Sequence, residues 1–283
     1  MRTQSGLRTS EGWALNLVKY SVLVAILALM LFPYLEMIAT SLKADEQVFV
    51  YPPPWFPPNP KWDNYLTIWT YIPLARYFLN STIVALGTII VAGLAAIPAG
   101  YALARIRFPG RRLILYIMLI SQMFSAIVLL IASFRLMNAL GLLDTYQGLI
   151  LMNATITLPL TVWLLTGYFS TVPREIEEAA LLDGAGRLRI LWDHYIPIAR
   201  PGILAAILFA FILAWNEFVF AVTFIQSPDM RPLTVGIYSF IGRYQILWNL
   251  LMASSLIAML PVLLTFLLIQ RHLVTGLTAG AVK

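Results

Sequence analysis

The sequence contains six long apolar windows that are almost free of Lys, Arg, Asp and Glu. A bilayer core of about 30 Å is crossed by about 20 such residues in a helix, so windows of this length are typical of transmembrane helices. The first window, Tyr20 to Leu35, is short and extends through Ser41, and the fifth continues past Glu217. We therefore predict an all-α polytopic membrane protein with a transmembrane domain over 20–270 and six spans, at 20–41, 77–104, 113–137, 147–169, 201–226 and 249–270.

The composition excludes a soluble globular protein. Hydrophobic residues make up 60% of the 283 and charged residues only 11%, against about 45–50% and about 25% in soluble domains. The absence of Cys excludes disulfides and thiolate metal sites, and two His cannot form a three-His zinc site. We predict no metal site.

The basic residues sort by membrane side when the N-terminal segment 1–19 is placed in the cytoplasm. Thirteen of the 19 Lys and Arg then fall on inner segments, as expected for cytoplasmic loops. The densest group, Arg105 to Arg112, lies in a tight turn with Pro109 and Gly110 between the second and third spans. We expect both termini, 1–19 and the tail 271–283, in the cytoplasm, and no nucleic-acid partner.

The loop 170–200, between the fourth and fifth spans, is the least membrane-like inner segment. Pro173 suits a first helical position, and acidic residues from Glu175 onward suit a helix N-terminus. Gly184 and Gly186 can each adopt the left-handed backbone conformation that ends a helix. The loop has 31 residues, against roughly 2–8 in ordinary helix connections. It is either an inert connector or a docking surface, and its length favours docking.

This loop carries a family resemblance. The string Glu178-Ala-Ala-Leu-Leu-Asp-Gly184, followed by Ile196-Pro197, resembles the EAA motif of ATP-binding-cassette (ABC) importer permeases. The spacing from Gly184 to Pro197 fits that motif, whereas His194 and Ile196 depart from it. The resemblance implies a coupling helix that docks on an ATPase, with these residues at the contact: Glu178, Ala179, Ala180, Asp183, Gly184 and Pro197.

Further strings, collinear over most of the chain, are similar to the carbohydrate-importer permeases of the MalG type. They include Thr40-Ser-Leu-Lys43, Asp63-Asn-Tyr65, Arg76-Tyr-Phe-Leu-Asn-Ser81, Pro98-Ala-Gly-Tyr-Ala-Leu-Ala-Arg105 and Trp215-Asn-Glu-Phe218. The resemblance implies a type I ABC importer (MetI-like) transmembrane domain that moves a mono- or oligosaccharide or related polyol by alternating access. It also implies a prokaryotic cytoplasmic (inner) membrane location.

The same resemblance implies the partners. They are a second, MalF-like permease, two ABC ATPase subunits, an extracytoplasmic solute-binding protein and the sugar. ATP and Mg would be bound by the ATPase subunits, and no cofactor by this chain. The resemblance also implies that the tail from Gly276 to Lys283 inserts between partner subunits, the alternative being a disordered end.

A secondary, ion-coupled transporter or channel subunit is the main alternative class. Such carriers generally need ionisable groups along their path, and Glu36 and Glu217 are both expected near span ends. The chain has no H-E-x-x-H, G-x-S-x-G or G-x-x-x-x-G-K-[ST] sequence, so neither those catalytic sites nor ATP binding by a P-loop is predicted. We expect a protein that is not itself an enzyme.

Polar residues within the spans are candidates for the translocation path, although helix packing also uses such residues. The candidates are Gln122, Asn153, Asn216, Glu217, Ser254 and Ser255. Glu217 can contact a polyol or fix a helix end.

The outer loop 227–249 is rich in aromatic residues. An interfacial aromatic belt would explain them, whereas the resemblance implies contact with the binding protein. The candidate contact residues are Tyr238, Phe240, Gly242, Arg243 and Tyr244.

Overall fold

The computed structural model describes residues 7–52, 54–242 and 244–281, and the regular secondary structure of this part of the chain is helical. An isolated antiparallel bridge between Ile241 and Ile246 is its one β-type pairing. The all-α prediction is confirmed. The α-helices are α1 (Leu7–Ser41), α2 (Asp45–Val48), α3 (Asn64–Tyr71), α4 (Leu74–Arg105), α5 (Arg111–Ser121), α6 (Ala126–Ala139), α7 (Tyr146–Thr171), α8 (Arg174–Leu182), α9 (Arg187–Ile190), α10 (Ile196–Ile198), α11 (Arg200–Trp215), α12 (Val219–Phe224), α13 (Leu233–Tyr238) and α14 (Trp248–Ala281). A π-helix, Leu191–Tyr195, connects α9 to α10, and a 3-10 helix, Pro228–Met230, precedes α13.

Four of the described helices are long and apolar enough to cross a bilayer without interruption. They are Leu15–Ser41 within α1, α4, α7 and Trp248–Gln270 within α14. Two bent pairs, α5 with α6 and the segment Arg187–Ile198 with α11, raise the count to six if each pair forms one span.

The third predicted span, 113–137, is not one straight helix. α5 and α6 meet at a bend of 101°, and Ser125 begins α6 by accepting the N–H of Ile127 on its hydroxyl. Gln122, inside the break, donates its amide to the carbonyl of Ile156 in α7 at 2.9 Å. Side-chain bonds to the backbone compete with the helix here, which an apolar window cannot reveal.

The fifth predicted span, 201–226, is also interrupted. α11 ends at Trp215 and α12 begins at Val219, with Glu217 in the gap. The carboxylate of Glu217 accepts the N–H groups of Phe220 and Ala221, at 2.7 and 2.9 Å. The acid therefore satisfies two amide donors at the start of α12, which have no partner within their own helix.

The chain divides into two compact units. One comprises residues through Ile68 together with Phe240–Ile257. In it, the buried amide of Asn64 donates to the carbonyls of Ser41 and Lys43, at 2.8 and 2.9 Å. These bonds join two of the motif strings, Thr40 to Lys43 and Asp63 to Tyr65.

The other unit comprises Trp69–Ser239 and Ala258–Lys283, and α4, α7 and α11 form its centre. Gly100 lets α4 approach α7 closely, since a Cβ there would lie 2.9 Å from the Cβ of Leu165. Gly202 does the same for α11, because its added Cβ would overlap the ring of Tyr168. These glycines explain close helix packing without a large side chain at the crossing.

The C-terminal segment is a continuation of the last helix. α14 runs through Ala281, so within the described residues the predicted tail 271–283 is not a separate segment. Val282 and Lys283 lie outside the described residues.

Candidate functional site

The predicted coupling helix is α8, and its sequence explains its bounds. Pro173 precedes the helix as its N-cap residue rather than opening it, and Glu175 and Glu177 lie in the first turn, where negative charge is favourable. Gly184 ends it with φ +77°. Gly186, at φ −70°, is not left-handed as predicted but begins α9.

The end of α8 is a Schellman motif. The N–H of Gly184 donates to the carbonyl of Leu181 at 3.1 Å, and that of Ala185 donates to Ala180 at 2.9 Å. The motif satisfies two carbonyls that the helix leaves free. A left-handed residue is required at position 184, and glycine adopts that conformation without strain.

α8 has an exposed and a buried side. Glu178, Ala179, Asp183 and Gly184 are exposed. Leu182, which the sequence analysis did not single out, is 89% exposed. The exposed side of α8 thus carries an apolar side chain beside acidic groups.

The remaining predicted contact residues are Ala180 and Pro197, of which only Ala180 is buried. Ala180 is only 5% exposed and packs against the rest of the chain, so its side chain lies on the buried side of α8. The 3.6-residue helical period turns it away from Glu178. Pro197 is exposed in α10.

Ala180 is part of a cluster that we name the Tyr195 cluster. It joins the ends of α4 and α7 to α8, α9 and the start of α11. Its buried members include Tyr101, Val162, Leu165, Phe169, Val172, Ala180, Ile190, Leu191, Tyr195 and Ile203.

Three aromatic rings pack edge to face at the centre of the Tyr195 cluster. The ring centroids of Tyr101 and Tyr195 are 4.9 Å apart, and that of Phe169 lies 6.4 Å and 6.0 Å from them. Both tyrosine hydroxyls donate to the carboxylate of Glu177, Tyr101 at 3.3 Å and Tyr195 at 3.0 Å.

Arg105, the last residue of α4, joins α7 to the same cluster. Its Nε donates to the carbonyl of Phe169 at 3.1 Å and its Nη2 to the carbonyl of Val172. The guanidinium carbon lies 5.0 Å from the centroid of the Tyr195 ring. Arginine over an aromatic face is a favourable arrangement, and this one also satisfies carbonyls near the end of α7.

Sequence reasoning missed Glu177, Tyr101, Arg105 and Tyr195 as site residues. One available signal was the spacing of Tyr101 and Arg105. Two polar side chains four residues apart share a helix face, and these two end an otherwise apolar span. The positions of Glu177 and Tyr195 follow only from the tertiary contacts.

Four of the six path candidates lie in the larger unit. Gln122 bonds to a carbonyl of α7, and Glu217 bonds to N–H groups at the start of α12. Asn216, just after α11, donates to the carbonyl of Ile212 in that helix at 2.9 Å. Asn153 differs, because it is 2% exposed and neither its Oδ1 nor its Nδ2 has a hydrogen-bond partner. Buried polar atoms are usually paired, so among the path candidates of this unit Asn153 has polar groups that the chain itself leaves unpaired.

The remaining candidates, Ser254 and Ser255, lie in the smaller unit. Ser255 donates to Leu251 of its own helix at 2.7 Å. Ser254 is buried without a hydrogen-bond partner. The structure therefore does not bring the six path candidates together in one unit.

The aromatic loop residues divide by exposure. Tyr244 is 92% exposed at the tip of a short turn in which the N–H of Gly242 donates to the carbonyl of Gln245 at 3.0 Å. Phe240 is 1% exposed, so its side chain is packed inside the chain and is not at the surface where contact was predicted. Tyr238 is half-exposed and packs on Phe218, and Arg243 lies outside the described residues.

Comparison with protein families gives one match, over residues 96–278, to a family described as binding-protein-dependent transport system inner membrane component. The chain is 36% identical, over 93% of its length and 95% of the relative's, to an inner membrane ABC transporter permease protein, YcjP, of Escherichia coli (strain K12). It is also 36% identical, over 93% of its length and 94% of the relative's, to a trehalose/maltose transport system permease protein, MalG, of Thermococcus litoralis.

A third relative, 35% identical over 89% of both chains, is a sulfoquinovosyl glycerol transport system permease protein, SmoH, of Agrobacterium fabrum. Among solved structures, one chain of a bacterial ABC transporter involved in the import of the acidic polysaccharide alginate matches with a TM-score of 0.76. The match covers 96% of this chain and 99% of that one at 22% identity. The two chains share a fold.

Proposed function

Since the chain belongs to the family of binding-protein-dependent transport system inner membrane components, we propose that it moves a saccharide through the inner membrane as one permease of an ABC importer. It is a transport subunit, and ATP hydrolysis belongs to separate ATPase subunits. The saccharide class is supported by relatives whose names specify trehalose/maltose and sulfoquinovosyl glycerol.

The observation that carries this function is the two-sided α8. Its buried side is anchored in the Tyr195 cluster, while Glu178, Ala179, Asp183 and Gly184 are exposed next to Leu182. This exposed face is the proposed docking site of an ABC ATPase. ATP and Mg are bound in the ATPase, and closure of the ATPase pair displaces α8.

The transport pathway is completed by a second permease of the MalF type, and the two permeases alternate between inward-facing and outward-facing states. Both termini and α8 lie on the cytoplasmic side in this proposal. The placement is supported by the basic turn from Arg105 to Arg112. A solute-binding protein delivers the saccharide on the opposite side.

Within the larger unit, Asn153 is proposed to line the saccharide path. Its amide offers a donor and an acceptor, which sugar hydroxyls can satisfy. Gln122 and Glu217 have structural roles instead, because the side chain of Gln122 bonds to a carbonyl of α7 and that of Glu217 bonds to N–H groups at the start of α12.

The function is tested by reconstituting the chain with its partner permease and ATPase in liposomes. Uptake of a panel of labelled saccharides, including trehalose, maltose and sulfoquinovosyl glycerol, is measured with the binding protein. We expect uptake of at least one saccharide with ATP inside and none with an ATPase-inactive partner. Uptake driven by a proton or sodium gradient without ATP would identify an ion-coupled carrier instead.

The turn at Gly242–Gln245 is the proposed contact with the binding protein, because Tyr244 at its tip is exposed. Replacing Tyr244 with Glu should weaken stimulation of ATP hydrolysis by the loaded binding protein and leave the basal rate unchanged. Tyr71→Glu, at another exposed tyrosine, is the matched control. Equal stimulation of the parent and Tyr244→Glu would reject the contact with the binding protein and favour a place for this tyrosine at the membrane interface.

A further inference from the structure

The apolar contacts of α8 are too few to fix its orientation by themselves. The helix has nine residues, below the roughly 12–15 that an isolated helix needs to be marginally stable. Of these nine, Ala180 is buried and Ile176 is partly buried in the Tyr195 cluster. A force applied to the exposed face therefore needs a further attachment if it is to reach the membrane helices.

Glu177 supplies that attachment. Its two carboxylate oxygens accept from different segments, Oε1 from Tyr101 of α4 and Oε2 from Tyr195, which precedes α10. The Tyr195 ring has no exposed surface, so the position of its hydroxyl is set by packing. Hydrogen bonds to an ionised group are among the stronger ones in proteins.

The attachment also reaches α7. Arg105 lies over the Tyr195 ring and donates to the carbonyls of Phe169 and Val172. α4 and α7 pack closely at Gly100. The ends of both helices and α8 thus form one connected set of contacts.

Resting on the function proposed above, we propose that Glu177 is the positioning residue that fixes α8 to the ends of α4 and α7, so that the three helices move as one body when the ATPase closes. Glu178, on the exposed side of α8, contacts the ABC ATPase. Its neighbour Glu177 transmits the displacement inward.

The test uses spin-label distances in the assembled complex. The chain has no Cys, so Arg174→Cys on α8 and Arg107→Cys just beyond α4 give two unique labelling positions, both exposed. In the parent, the distance should differ by less than about 2 Å between the nucleotide-free and ADP-vanadate-trapped complexes, which is no more than an ordinary interface helix shift. In Glu177→Ala, the distribution should broaden and change between the two states.

Three variants separate positioning from folding. Glu177→Gln retains an acceptor for one tyrosine and a donor for the other, so it should restore the narrow distribution. Tyr195→Phe keeps the ring but loses the hydroxyl, and its label distances should be broadened as in Glu177→Ala. Glu175→Ala removes a neighbouring exposed carboxylate that has no hydrogen bond within the described chain, and should leave the distance unchanged.

Coupling is measured on the same complexes. In Glu177→Ala, the ratio of ATP-driven uptake to ATP hydrolysis should fall about tenfold, the factor that corresponds to the lower range of a hydrogen bond to a charged group. Assembly with the ATPase should persist, because the exposed face is intact. A merely structural role would lower the amount of complex and leave this ratio unchanged.

Two outcomes would overturn the proposal. One is a label distance in the parent that changes by several ångströms on nucleotide trapping. The other is a Glu177→Ala complex with the parent's distances and coupling ratio. If instead the parent complex shows no ATP-driven uptake at all, the proposed function fails, and the distance measurement still reports on Glu177.

Discussion

At the residue scale, neighbouring positions of α8 have different roles because the helical period places them on different sides. Glu177 faces the Tyr195 cluster, Glu178 is exposed, and Ala180 is buried. A sequence motif taken by itself assigns all of its residues to the same function. In the structure, Ala180 belongs to the anchoring side.

Replacing Gly184 with Val should uncouple ATP hydrolysis from transport. A left-handed conformation costs an L-residue about 1–2 kcal/mol, and more for a β-branched one. A Cβ at Gly184 meets no atom within 4 Å, so the effect is on the turn and not on packing. ATP-driven uptake is the measurement, and we expect at least a tenfold loss.

Gly186→Val is the matched control for this change. Gly186 also has open space around its Cβ position, but its φ is −70°, which Val adopts without strain. Normal uptake by Gly184→Val, or an equal loss in both variants, would contradict the role assigned to the left-handed turn.

The loop residue Asp144 should make stability pH-dependent. Hydrogen bonds from the hydroxyl and the N–H of Ser227 and from the N–H of Gln226 hold the pKa of Asp144 below its usual value. Its ionised form therefore stabilises the fold above the unfolded pKa of about 4, and that contribution disappears as pH falls through the lower folded value.

Asp144→Asn tests this contribution, because Asn also tolerates the positive φ of 56° at this position. The midpoint of thermal unfolding should be lower than the parent's at pH 7, and the difference should shrink as the pH falls below about 4. A difference that is independent of pH would exclude the ionised carboxylate as its source.

At the scale of elements, the breaks in the third and fifth predicted spans have local causes. Ser125 begins α6 and Glu217 begins α12 by accepting backbone N–H groups. Such groups at a helix start lack partners within the helix. The presence of Glu217 within an apolar window is therefore explained by its bonds to the first N–H groups of α12, and no substrate contact is needed to explain it.

Glu217→Ala should lower the midpoint of thermal unfolding by about 2–4 °C, since loss of a helix cap costs about 1 kcal/mol. The KM for saccharide uptake should stay unchanged. Asn216→Ala is the control, because the Asn216 side chain bonds only to its own preceding turn. A raised KM with unchanged thermal stability would instead make Glu217 a substrate contact.

At the scale of the whole molecule, the orientation in the membrane is a prediction from charge. Single cysteines can be placed in a chain that has none, at Pro109 in the basic turn and at Tyr244 in the opposite loop. In intact cells, an impermeant maleimide should label Tyr244→Cys directly and Pro109→Cys only after permeabilisation. The reverse pattern would invert the topology.

The sequence by itself determined the all-α membrane class, the family and the position of the loop helix α8. These follow from apolar windows, charge bias and a motif, all of which are local along the chain. The helix ends at Gly184 as predicted because a left-handed stop is a local backbone requirement.

Only the tertiary structure decided which side chains act together. Glu177 and Tyr195 are distant in sequence from Tyr101 and Arg105, and the four meet where α8 and the segment that carries Tyr195 pack against the end of α4. It also decided where the third and fifth predicted spans break, and that Phe240 and Ala180 are buried. Hydrophobicity measures transfer into an apolar environment, and whether that environment is lipid, a partner protein or the chain's own core depends on the fold.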